Sequence, residues 1–146
     1  MHFPLDANET SDQTLVVILK GHLLLEELVR HIISERVKNP KALLLGRFDC
    51  YNAICFAQAL VGDEAEEALW QHLRALNKIR NNIAHNVEPK NFTNTIIEFV
   101  NSFNSEYNRK DGYINLEFTL LSLYISVLEL VYKPSGKLLR FDRNES

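Results

Sequence analysis

Arg80, Asn81 and His85 lie in one short run, Arg80-Asn81-Asn82-Ile83-Ala84-His85, which is the strongest chemical signal in this 146-residue chain. An imidazole gains and loses a proton near neutral pH. A guanidinium is a planar, permanent cation that grips oxyanions through paired N–H groups. Side by side, the two suit proton transfer next to a developing negative charge. On a helix Asn81 and His85, four residues apart, share a face, whereas Arg80 and His85 point about 140° apart. His85 also has a plainer reading, as a hydrogen-bonding or cationic residue in the last turn of a helix.

Other reactive side chains are more scattered. His2, His31 and His72 show no metal-ligand spacing, and linear order suggests no cluster of His, Cys and carboxylate groups, so neither a metal nor another cofactor is expected. His22 and Glu26 stand one helical turn apart and could hold a metal, but a buried hydrogen bond is the preferred reading. Cys50 and Cys55 form neither a CxxC pair nor a disulfide framework, and their neighbours suggest small buried residues. A Gly-rich phosphate loop is missing, and no Ser or Cys has the setting of a nucleophile. Between residues 68 and 87 there is no acid, while Arg74, Lys78 and Arg80 supply positive charge that His72 and His85 can increase. Such a stretch fits a local nucleic-acid surface, with Arg74 and Lys78 as its contacts. The preferred reading is a helix whose acidic start (Asp63, Glu64, Glu66, Glu67) and basic end match the backbone dipole, which alone explains the gradient.

Helices must position these groups. A first helix is expected over 12–37, capped by Asp12 or Ser11 and stopped by Asn39-Pro40. A short helical turn over 42–45 and a second helix from its cap Asp49 to Gly62 follow. A third helix, capped by Asp63, should reach about residue 86; a fourth covers 91–107 and a fifth 115–132. Residues 108–112 read as a polar turn, Pro134-Ser135-Gly136 as the final stop, and the remaining tail as loosely held. On the first helix Leu15, Leu19, His22, Glu26, Val29, Ile33 and Val37 fall on one stripe, and the opposite side (Val17, Leu24, Leu28) is apolar too. A helix apolar nearly all round is central or packs against a second subunit. On the third helix Leu69, Leu73, Leu76, Ile83 and Val87 form the main stripe, with Ile79 at its edge and Arg80 at its centre. A guanidinium there requires a partner. Glu26, equivalently placed beside His22, is the expected one, giving a buried polar network of His22, Glu26 and Arg80.

The composition sets the class. Hydrophobic residues at 46% and charged residues at 24%, with five Gly and four Pro, describe one folded helical domain over 1–146, its core spanning about 12–132. A net charge of −3 provides no global field for nucleic acid. No signal peptide is expected, since residues 1–11 lack a basic start followed by an apolar run, and the most apolar stretch, residues 118–131, is too short and too polar to span a membrane. A cytoplasmic protein without a membrane partner is expected.

The run from Arg80 to His85 resembles the R-polar-x3-H signature of the HEPN superfamily, and the order of helices over about residues 13–132 is similar to that family's. The resemblance implies an all-α, up-and-down bundle of about five helices. It implies a metal-independent endoribonuclease of toxin or phage-defence type, in which two copies bring their motifs together across a twofold axis. His85 would act as base or acid at an RNA 2′-hydroxyl, Arg80 would stabilise the phosphoryl oxygens, and Asn81 would orient the imidazole or the phosphate. The partners implied are RNA, a second copy of the chain, and an antitoxin or regulatory protein. In one toxin subgroup a Tyr follows the His by two positions; here Val87 stands there. A non-catalytic module of the same helical fold, binding a protein or nucleic acid, is the alternative.

Overall fold

The computed structural model describes residues 10–45, 48–86, 91–106 and 116–132. These form α1 (Asp12–Arg36), α2 (Cys50–Val61), α3 (Glu67–Ala84), α4 (Thr93–Glu106) and α5 (Leu116–Tyr132), with short 3-10 turns at Pro40–Leu45 and Gly62–Glu64 and no strand among them. The all-α five-helix bundle is the class expected. No helix of the described residues is long and apolar enough to cross a membrane. The polar turn at 108–112, the tail after Tyr132, His2 and Val87 lie outside the described residues.

Local chemistry sets the helix starts. Ser11 is extended and its hydroxyl accepts the Thr14 N–H at 3.1 Å; Asp49 does the same for Asn52 at 2.9 Å. Both satisfy N–H groups that a first helical turn leaves unpaired. The expected Asp63 cap is corrected. Gly62 ends α2 at φ +63°, a backbone that favours glycine, and sends the chain into a 3-10 turn. α3 therefore begins only after extended Glu66, whose side chain makes no capping bond.

α3 is the central helix. It touches α1, α2, α4 and α5, and buries Leu69, Trp70, His72, Leu73, Leu76, Asn77 and Ile79. That broad face corrects the expected stripe. Ile79 is core rather than edge, and Arg80 and Ile83 are only half-buried. On α1 the buried residues are Thr14, Ile18, His22, Leu25, Val29, Ile32 and Ile33, while Leu19 of the expected stripe is exposed. The buried face keeps His22, Val29 and Ile33 of that stripe and adds Ile18, Leu25 and Ile32, on the side where Gly21 lets α5 approach: a Cβ there would meet Leu120 Cδ1 at 3.0 Å. Fully burying each aliphatic side chain of this core is worth about 1.5–3 kcal/mol before ordering costs. Buried Arg36 fastens the far end, bonding Glu64 at 3.0 Å and the Leu130 carbonyl at 3.3 Å. α1 and α3 run antiparallel, since Arg36 meets Glu64 just ahead of α3 while His22 meets Asn77 deep within it.

Candidate functional site

α3 stays helical through Asn81 and Asn82 to Ala84, so the weak helix-forming pair does not break it. His85 is the C-cap, and its N–H donates to the Asn81 carbonyl at 3.0 Å. The roughly 140° divergence of Arg80 and His85 on a regular helix therefore persists. The His85 side chain is exposed. Arg80, half-buried, donates from Nη1 to Asn81 Oδ1 at 3.2 Å. The bond holds two of the motif's four polar side chains together at the end of the helix.

The expected Arg80–Glu26 pair is not formed. Glu26 Oε2 accepts two hydrogen bonds from Arg30, at 2.7 Å from Nη2 and 3.1 Å from Nε. The spacing explains the outcome, because residues four apart on one helix are neighbours without any tertiary constraint. Arg80, for its part, keeps access to water and does not need a buried carboxylate.

The buried polar network instead centres on His22. Asn77 Oδ1 accepts the His22 Nε2 hydrogen at 2.8 Å, Cys50 Sγ lies 3.5 Å from the same nitrogen, and Glu26 Oε1 lies 3.9 Å from Nδ1. The segment after α1 doubles back to build this arrangement. Its Phe48 carbonyl accepts from Arg30 at 3.1 Å, and the guanidinium sits 5.1 Å above the Phe48 ring, so α2 starts beside the middle of α1. Burial lowers the His22 pKa below the ordinary 6.5; the Asn77 bond and Glu26 charge oppose this, and Arg80 adds to it. Burial, followed by Glu26, raises the Cys50 thiol to about 11 against the pull of Arg30 and Arg80. Arg80 thus acts on the network through its field, not through a bond.

Beside the network, a groove of about 590 Å³ is lined by Tyr51, Arg74, Asn77, Lys78, Asn81 and their neighbours. It gathers both expected RNA contacts and one motif residue. Lys78 is exposed, but Arg74 is already engaged, donating to Gln58 Oε1 at 2.8 Å and Glu67 Oε2 at 3.0 Å. His72, expected to add charge, is buried. Its Nδ1 donates to the Ala68 carbonyl at 2.8 Å and its ring meets Phe99 and Phe103 edge-on.

Sequence reasoning missed Asn77, Arg30 and Cys50. Arg30 was recoverable from its i, i+4 spacing to Glu26. Asn77, one turn before Asn81, gave a weaker signal as an amide on an otherwise apolar face. Cys50 gave none, since only the doubled-back chain brings it to His22. The absence of a His, Cys and carboxylate cluster is likewise corrected: one donor atom from each of His22, Glu26 and Cys50 lies within 4.8 Å of the others. No protein-family model, curated protein or solved structure matches this chain.

Proposed function

We propose that this chain is a HEPN-like, metal-independent endoribonuclease of toxin or phage-defence type, working as a homodimer. The observation that carries the reading is the Arg80–Asn81 hydrogen bond on α3, with exposed His85 closing the same helix. These groups remain within reach of a ligand instead of being consumed in the core. One imidazole takes the proton of an RNA 2′-hydroxyl as its oxygen bonds to phosphorus. The bond from phosphorus to the 5′-oxygen breaks, and that oxygen gains a proton from an acid. Arg80 stabilises the charge that builds on the phosphoryl oxygens. The divergence of Arg80 and His85 makes a cleft shared by two copies the natural arrangement. Exposed Val16, Leu19 and Leu23 on α1 support pairing, since the antiparallel packing sets them level with the last turns of α3.

The test is cleavage of single-stranded RNA in EDTA. Wild type should leave 2′,3′-cyclic phosphate ends and spare DNA of the same sequence, which lacks the attacking hydroxyl. His85→Ala should retain its fold and lose activity about a hundredfold or more. Cleavage that survives in this variant assigns the activity to another site or a contaminant. One observation favours a second reading, a non-catalytic module that binds a protein or nucleic acid. α3 is unbroken, so a single copy cannot easily aim Arg80 and His85 at one phosphate. No cleavage of several RNAs by wild type would establish that reading over the first.

A further inference from the structure

The side chains of His22, Glu26 and Cys50 form a cluster that the ribonuclease chemistry does not use. We propose that these three residues bind a thiophilic divalent cation, zinc or a close analogue, which ties α1 to the start of α2.

The donor set is nitrogen, oxygen and sulfur, a combination that suits zinc and excludes magnesium or calcium as the favoured ion. The three donor atoms lie within 4.8 Å of one another. A tetrahedral zinc with bonds of about 2.0–2.3 Å separates its ligands by roughly 3.3–3.8 Å. Closing the cluster to that size takes rotation of the Cys50 side chain, whose sulfur now lies 3.5 Å from Nε2, toward the Nδ1 edge of the ring, and a shift of Glu26, whose Oε1 lies 3.9 Å from Nδ1.

The surroundings already orient the ligands. Arg30 holds Glu26 through Oε2 alone, which leaves Oε1 facing the imidazole. Asn77 accepts the Nε2 hydrogen of His22, so the lone pair resides on Nδ1, on the Glu26 side. A ligating histidine usually gives its other N–H to such a partner, and the partner fixes its tautomer. The Glu26 side chain is 24% exposed, which gives the ion a path from solvent. Arg30 and Arg80 surround the cluster with positive charge, so the ion needs two anionic ligands, Glu26 and the Cys50 thiolate. On binding, a sulfur–metal bond forms and the thiol proton leaves to solvent.

This site does not rest on the ribonuclease reading, and its readouts are binding and stability. The full-length, reduced protein is stripped with EDTA and titrated with cobalt(II) as a spectroscopic stand-in for zinc. A thiolate-to-cobalt charge-transfer band should saturate at one equivalent and vanish when zinc is added. Zinc alone should raise the melting temperature. Cys50→Ser should remove the band and Glu26→Gln should weaken binding by about tenfold or more, whereas Cys55→Ser should bind normally. In wild type, zinc should also protect Cys50, but not Cys55, from maleimide, as read by peptide mass spectrometry; this measurement stands even if Cys50→Ser does not fold. Absence of the band, a band that depends on Cys55, or unprotected Cys50 would each overturn the site.

Discussion

His22 shows how one buried polar residue makes stability depend on pH. Its folded pKa lies below the ordinary 6.5, because burial disfavours the imidazolium more than Asn77 and Glu26 favour it. Between the folded value and 6.5 the unfolded chain binds more protons than the folded one, so stability rises with pH through this window. Acidification through 6.5 therefore removes stability. In EDTA the melting temperature of wild type should fall between about pH 8 and pH 5, and His22→Gln should show a shallower fall. Equal slopes in the two proteins would mean that His22 does not titrate differently on folding. Cys50 carries the opposite sign, since its raised pKa favours the folded state until the pH climbs from 9.0 toward about 11.

At the scale of elements, α2 is the part whose start matters most. Asp49 caps it, and the next residue, Cys50, touches His22. Removing the cap frees the Asn52 N–H and frays the turn that holds the thiol. Asp49→Ala should cost about 1 kcal/mol. A urea titration should show this as a lower midpoint with unchanged slope. A change below a few tenths of a kcal/mol would show that packing alone, with Phe48 clamped to Arg30, fixes this start. α1 illustrates the other control. Gly21 is a poor choice by helix propensity, and its use is explained by the close approach of Leu120 of α5, whose Cδ1 would lie 3.0 Å from an added Cβ.

For the whole molecule, apolar residues remain uncovered on adjoining helices: Val16, Leu19, Leu23 and Leu24 on α1, and Phe118, Leu121 and Ile125 on α5. Exposed apolar side chains on neighbouring helices motivate a test of self-association. Sedimentation at micromolar concentration should report about 34 kDa, twice the 16.9 kDa of one chain. Leu23→Glu places a charge on this surface at a residue that contributes little to the core, and should give a folded monomer without RNA cleavage. A monomeric wild type would remove the shared cleft.

The sequence by itself determined the helices, because their signals are local. Apolar spacing, the Ser11 and Asp49 caps and the scarcity of Gly and Pro act within a few residues and do not depend on what packs against them. It also placed Arg80, Asn81 and His85 on the end of one helix. Only the tertiary structure decided which polar groups meet across helices. Glu26, expected to pair with Arg80, is held instead by its own-helix neighbour Arg30, and the fold adds Phe48 beneath that guanidinium. The identity of α1's buried face was equally a tertiary outcome. A helix apolar on several sides has no single answer in its own periodicity, and the close approach of α5 at Gly21 selected the face containing Ile18, Leu25 and Ile32. His22, Asn77 and Cys50 come from three different helices. No spacing rule links positions that only packing brings within hydrogen-bonding distance.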